Sequence, residues 1–268
     1  MNNERKQITL DVAGFCIQIN LFPSEWLYSK NKLTRELLTY YRNFITNEKQ
    51  IKCDFIIDVV EQRNFIFYKR KDLGLIELFK EKRQNYLITY YQLSIIQFQL
   101  LVNNALHYLL EKHNGCVLHG SANKMNGEAV IFLGPSGQGK STIMKLLHSA
   151  YPALADDSII LRKINNKYFV FQTPTREKES WVEKTSRCYP LKSIFFLGEK
   201  SVSFQAIKLT DQDLILNTLT KQLILNQPYS KKTIIFLLGL LKPSHSFYSI
   251  QFLKKQHQLL DLLKKINI

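Results

Sequence analysis

The sharpest chemistry in the sequence is carried by GPSGQGKST, Gly134–Thr142. It matches G-x-x-x-x-G-K-[ST] in full, with an apolar run, Ala129–Leu133, before it and a helix-like KSTIMKLLHSA after it. Glycines let a backbone curl so that several N–H groups face one point, and the helix that follows aims its positive end at the same point. Gly134, Pro135, Ser136, Gly137, Gln138, Gly139, Lys140, Ser141 and Thr142 are therefore the expected cradle for the phosphates of ATP or GTP. Lys140 is expected to reach the β- and γ-phosphates, and Ser141 to offer its hydroxyl to Mg2+. The bland alternative is a chance match in a glycine turn, but the whole chain holds only 10 glycines to make one.

Phosphate-loop enzymes also need an acid near the magnesium, commonly at the end of an apolar strand. The residues TDQDLIL, with Asp211 and Asp213, show no strand before them. The best candidates are Asp156 and Asp157 in ALADDSII, 16 residues past Lys140. That gap holds a helix of about three turns, at 3.6 residues per turn, and a short return. Neighbouring residues of an extended chain point to opposite faces, so both acids can serve one site only if the backbone bends there. A solvated turn before a strand is the alternative reading of the pair.

The elements that must position these groups can be read from pattern. CVLHGSANKMNGEAVIFLG predicts two strands joined at Asn126-Gly127, and SIILRKINNKYFVFQ predicts a hairpin turning at Asn165-Asn166. LKSIFFLGE predicts a later strand. Upstream, ITLDVAGFCIQI suits a strand pair, LTRELLTYYRNFI a helix, and KCDFIIDVVEQ and NFIFYKR strands. Gln92–Gly115 reads as a long helix buried on several sides, capped by Gly115. From Asp211 the tail reads as helical, with Phe252, Leu259, Leu260, Leu263 and Ile266 on one stripe for core packing or contact with a second copy of the chain. The expected organisation is an amino-terminal α+β region over 1–91, a connecting helix over 92–115, a nucleotide-binding core over 116–210 and a helical carboxy-terminal region over 211–268.

Composition bounds the rest. The chain has 268 residues with 45% hydrophobic side chains, enough for a substantial core. Its formal net charge of +15 invites phosphate-bearing or acidic partners, or simply keeps it dissolved. The four cysteines are scattered and suggest neither a disulfide framework nor a zinc site. No signal peptide stands at the start, and IIFLLGLL is too short to span a bilayer, so a cytoplasmic protein without a membrane span is expected. No L-S-G-G-Q signature points to a transport ATPase, and no nucleic-acid-binding motif accompanies the spread of basic residues.

The segments LHGSANKMNGEAVIFLGPSGQGKST and LLHSAYPALADDSIILRK resemble the catalytic core of HPr kinase/phosphorylase, and more closely its stand-alone relatives, including kinases that phosphorylate lasso peptides. The resemblance covers Val117–Arg162, with looser echoes in VFQTPTREKES and YPLKSIFFL. It implies an α/β fold of the type shared with phosphoenolpyruvate carboxykinase, with a mixed, hairpin-rich sheet. It places His119 near the phosphates and makes one acid of the pair the general base for an acceptor hydroxyl and the other a ligand of Mg2+ beside Ser141. It leaves their order open, and we assign Asp156 to the first role and Asp157 to the second. Arg162 is either a phosphate contact or an exposed strand residue.

Thr142 stands where HPr kinases carry an acid, and their carboxy-terminal arginine signature is not recognisable. HPr itself and the reverse phosphorolysis are therefore not expected. The function implied is transfer of the γ-phosphoryl group of ATP to a hydroxyl, of serine first, on a peptide or protein for which surplus positive charge suits an acidic sequence. Three readings stand beside it: a small-molecule kinase with the same site, a nucleotide sensor without transfer activity, and, from charge alone, a nucleic-acid binder.

Overall fold

The computed structural model describes residues 4–47, 52–61, 78–198, 204–225, 230–242 and 245–268, and the expected strand NFIFYKR lies outside them. The chain divides into two units between Leu109 and Leu110, within the long helix α2 (Ile95–Lys112). Both units are α/β, with mixed sheets and six helices among the described residues.

The first unit is built on a five-stranded sheet in the order β1-β2-β3-β5-β4. Strands β1 (Lys6–Val12) and β2 (Phe15–Leu21) form the expected hairpin, turning through Ala13 and Gly14 at φ 56° and 73°. Strand β3 (Phe55–Val60) lies parallel to β2, and β5 (Tyr86–Tyr90) parallel to β3. The charged strand β4 (Lys80–Arg83) closes the edge, where its side chains discourage further pairing. Helix α1 (Leu27–Tyr40) begins six residues earlier than the sequence pattern suggests and buries Leu33 and Leu37. Helix α2 opens on a capping box, in which Ser94 Oγ accepts from the Gln97 N–H while Gln97 Oε1 accepts from the Ser94 N–H.

At the far end of α2 the expected cap is displaced. Asn114, at φ 56°, makes the left-handed turn, and Gly115 is already the first residue of β6 (Gly115–Met125). Strand β7 (Glu128–Leu133) returns from β6 through Asn126 and Gly127 at φ 50° and 87°, as the Asn-Gly pair predicts. Helix α3 (Lys140–His148) follows the glycine loop. After it come β8 (Ala153–Ala155), β9 (Ser158–Ile164), β10 (Lys167–Gln172) and β11 (Cys188–Leu197). The β9–β10 turn uses Asn165 and Asn166 in the left-handed region, as expected.

The order β10-β9-β6-β7-β11 is closed by a further pairing of β10 with β11, so these five strands form a ring. The carboxy-terminal region is not helical throughout. It holds α4 (Gln212–Thr220), α5 (Lys231–Leu240) and α6 (Gln256–Lys265), but also β13 (Leu223–Ile224) and β14 (Ser246–Gln251). Strand β14 runs parallel to β11 and carries β12 (Gln205–Leu209) on its other edge. Strand β12 therefore precedes Asp211, contrary to the sequence reading, and Asp211 caps α4 by accepting from the Leu214 N–H at 3.0 Å.

Strand alternation divides the core in two. Ala129, Ile131 and Leu133 of β7 enter one cluster with α4 and α5 residues, while Val130 and Phe132 enter a second with Ile143 and Leu147 of α3. Leu259 and Leu263 of α6 are buried in that second cluster, with Phe252, Leu260 and Ile266 at its margin, so the carboxy-terminal stripe packs the core.

Strand β6 changes neighbours midway. His119 is its last residue paired with β9, and Gly120 its first paired with β7. A Cβ on Gly120 would stand 2.5 Å from Leu133 Cδ2 and 2.8 Å from the Phe132 carbonyl oxygen. Gly120→Ala is expected to cost about 1–3 kcal/mol through this overpacking, measured by urea unfolding. A loss under about 0.5 kcal/mol would show that the junction yields.

Candidate active site

The loop that follows β7 is shaped by two left-handed glycines, Gly137 at φ 81° and Gly139 at φ 101°. Gly139 sits at the entry of α3, with the ring of Phe252 3.3 Å from where its Cβ would lie. Pro135, Ser136 and Gly137 are exposed, Ser141 and Thr142 half-buried, and Lys140 buried. Two side chains of β6 hold the helix in place. Ser121 Oγ donates to the Lys140 carbonyl at 2.9 Å, and Asn123 Nδ2 donates to the carbonyls of Met144 and Tyr151 at 3.2 and 2.9 Å. The loop and the first turn of α3 are thus fixed to the strand that carries His119.

Lys140 folds back on its own loop. Its Nζ donates to the carbonyls of Gly134 and Pro135 at 2.7 and 3.0 Å. Burial holds its pKa below the ordinary lysine value, and the nearby carboxylates of Asp157 and Asp156 pull it part of the way back. The helix start, the lysine and the acids therefore share one electrostatic environment.

The acid pair ends a strand after all. Strand β8 is only three residues long and pairs with β6 at Ala122 and Asn123. Asp156 and Asp157 form a two-residue bend between β8 and β9, both of which lie along β6. The register on either side of the bend is the same, His119 opposite Ser158 and Ala122 opposite Ala155. The bend therefore interrupts one strand line without inserting a residue.

The two acids have contrasting surroundings. Asp156 is 2% exposed, and neither carboxylate oxygen has a hydrogen-bond partner. Asp157 is exposed, its carboxylate 3.5 Å from His119 Nδ1. The Asp157 carbonyl accepts from the Gly120 N–H at 3.2 Å and lies 3.0 Å from His119 Nδ1. The backbone of His119 donates to the Gln222 carbonyl at 2.7 Å. The expected residues His119, Lys140, Asp156 and Asp157 are thus gathered around the middle of β6. Arg162, by contrast, is buried rather than exposed, on β9 where that strand is paired on both edges, with β6 and β10.

Glu177 was invisible to pattern reading. It is buried, accepts from the Asp156 N–H at 2.9 Å through Oε2, and pairs with Lys184 through Oε1. Only the loose echo VFQTPTREKES marked its segment. Beside it, Ser158, Thr173 and Thr175 join their hydroxyls at 2.7–3.4 Å.

These residues fit a nucleotide with Mg2+. Asp156 is a buried acceptor with no donor, the loop is open at Gly137, and Lys140 has only carbonyls to exchange for phosphate oxygens. Among the described residues no cluster of three or more His, Cys, Asp or Glu side chains could hold a metal alone. A magnesium ion bound through one or two side chains plus phosphate oxygens and water does not need one.

A family model described as "SynChlorMet cassette protein ScmC" matches residues 88–233, more than half of the chain. No curated protein matches the chain. The structure of the HPr(Ser) kinase/phosphatase from Coxiella burnetii is similar at 10% identity and a TM-score of 0.33, over 56% of this chain and 95% of that one, too loosely to bear on function. Among the described residues no helix is long and apolar enough to cross a membrane.

A buried, unpartnered carboxylate is costly to hold, at about 1–3 kcal/mol. Asp156→Asn is therefore expected to leave the chain at least as stable as the parent in urea unfolding, with a gain of up to about 1 kcal/mol. A loss above about 1 kcal/mol would show that the carboxylate is stabilised where it lies.

Proposed function

The chain belongs to the SynChlorMet cassette protein ScmC family, and we propose that it is an ATP-dependent kinase that phosphorylates a hydroxyl, serine foremost, on a peptide or protein. One observation carries the reading: the unpartnered Asp156 carboxylate lies buried within electrostatic reach of Lys140, at the start of a helix that follows a glycine loop. GTP in place of ATP would meet the same loop.

In this reading the amides at the start of α3 and Lys140 bind the phosphates, Lys140 releasing the carbonyls of Gly134 and Pro135 to do so. Bound Mg2+ and nucleotide supply the transferable phosphoryl group and neutralise the charge on it. Ser141 and Asp157 would hold the metal. Asp157 suits this by its exposure, since magnesium keeps much of its water. Asp156 takes the proton of the acceptor hydroxyl at a carboxylate oxygen that no other donor occupies. Its burial limits the water that could compete with the acceptor. His119, 3.5 Å from the Asp157 carboxylate, would orient that acid and lie close to the bound phosphates. The net charge of +15 favours an acidic acceptor. The family's name speaks of a cassette, so peptides and proteins of the same cassette are the acceptors to assay first.

The test is incubation with γ-labelled ATP, Mg2+ and those peptides, beside two variants. Lys140→Ala is expected to weaken nucleotide binding at least ~10-fold, the loss of a charge-assisted contact. Asp156→Asn is expected to bind nucleotide within about twofold of the parent but transfer at least ~100-fold more slowly, as loss of a general base predicts. Transfer at the parental rate by both variants would refute the site. A parent that binds nucleotide yet labels nothing would make the chain a sensor.

A further inference from the structure

The segment between β10 and β11, residues 173–187, is tied at two places to groups the proposed reaction needs. At the acid bend, Glu177 Oε2 accepts the Asp156 N–H at 2.9 Å. Two residues earlier, the Leu154 carbonyl accepts from Gln172 Nε2, the last side chain of β10. Gln172 also fixes the segment itself, donating to the Glu183 carbonyl at 2.8 Å and accepting from the Thr185 N–H at 2.6 Å. The end of β8 is therefore held by β6 and by this segment.

The second tie is to α3, the helix that begins with Lys140. Lys145 pairs with Glu179 at 2.8 Å, and the ring of Trp181 lies over His148 with centroids 4.3 Å apart. Val182 packs between Met144 of α3 and Ala153 of β8. One short strap thus touches both the helix and the acid bend.

We propose that residues 173–187 act as a positioning strap for Asp156, with the buried Glu177–Lys184 pair as its latch. The proposal rests on the kinase reading for the use made of Asp156. Glu177 and Lys184 have side chains only 4% and 14% exposed, and Lys184 Nζ also donates to the Thr173 carbonyl at 2.9 Å. Lys184 cancels the charge that Glu177 would otherwise place beside the Asp156 carboxylate. The backbone of Asp156 is held by a carboxylate, yet its side chain meets no added net charge. Breaking a buried pair from one side strands the other charge, whereas a neutral pair of similar shape is tolerated. Both residues would act through the backbone of Asp156, and so are positioning residues.

The experiment uses the full chain carrying Trp26→Phe, which leaves Trp181 as its only tryptophan. Lys184→Met is compared with Glu177→Gln/Lys184→Met, in which an amide oxygen still accepts the Asp156 N–H. Three quantities are read: hydrogen exchange at the Asp156 amide, acrylamide quenching of Trp181, and Mg-ATP turnover with water as acceptor alongside nucleotide Kd. Lys184→Met is expected to speed Asp156 exchange at least ~10-fold, raise Trp181 quenching about twofold, and cut turnover at least ~10-fold with Kd within about twofold, as loss of positioning without loss of binding requires. The double variant is expected to recover turnover to within about threefold of the parent. Unchanged Asp156 exchange in Lys184→Met, or a turnover loss matched by a Kd loss, overturns the proposal. Failure of the double variant to recover does so as well. If Lys184→Met does not fold, the comparison passes to Glu177→Gln alone, where parental exchange and turnover overturn it if the double variant is also parental. A parent that neither hydrolyses Mg-ATP nor labels any acceptor peptide refutes the kinase reading, and wherever water turnover is absent the strap is decided by Asp156 exchange alone.

Discussion

Gly120 has a strand on either side and no side chain to hold them apart. Leu133, the last residue before the glycine loop, pairs with it on one edge, and the Asp157 carbonyl accepts its N–H on the other. The start of the loop and the acid bend are therefore each one step from the same backbone position. The space a Cβ would need is already filled by Leu133 and the Phe132 carbonyl. Along one edge β6 pairs with β9 and then β8, along the other with β13 and then β7, and Gly120 stands where both change. His119 and Ser121, either side of Gly120, then touch the acid bend and the first turn of α3 respectively.

Near this junction Asn123 Nδ2 fastens two carbonyls and Ser121 Oγ a third, and alternation on β7 fills two separate cores. Unmet acceptors collect in the same region: Asn123 Oδ1, Gln138 Oε1 and both carboxylate oxygens of Asp156 are buried without a donor, and Lys140 is turned onto the carbonyls of its own loop. A folded chain tolerates such groups where the rest of the structure over-determines their position. Asp156 and Asp157 differ because they occupy a bend: one carboxylate is turned to the interior and the other to solvent.

Much of this was legible from local pattern, because local pattern sets it. The turns at Asn126-Gly127 and Asn165-Asn166 require left-handed backbone, which the sequence supplies in residues that accept it. The glycine loop carried its own spacing, and the α6 stripe its period. The strand before the acids was missed because three residues, Ala153–Ala155, are too few to show alternation. Strand β14 was missed because its apolar residues adjoin a helical run and its pairing partner lies some fifty residues away in β11. The Glu177–Lys184 pair left no trace, since an ion pair formed across a loop has no periodicity. Asn114 took the turn assigned to Gly115 because the strand begins one residue sooner than the glycine suggests.

The position of β14 bears on how the chain is made. It lies between β11 and β12, parallel to the first and antiparallel to the second, though it follows both in the chain. While a ribosome is still adding residues before Ser246, β11 can pair with β7 and β10 but has no β14, and β12 has no partner in the sheet order at all. Two strand edges, one bearing Phe195 and Phe196, then wait for a segment not yet synthesised. Such edges invite pairing with other chains. Completion of this sheet is thus a late event on the growing polypeptide, and a chaperone or slow translation near β12 would act on the very interval in which the nascent chain is most adhesive.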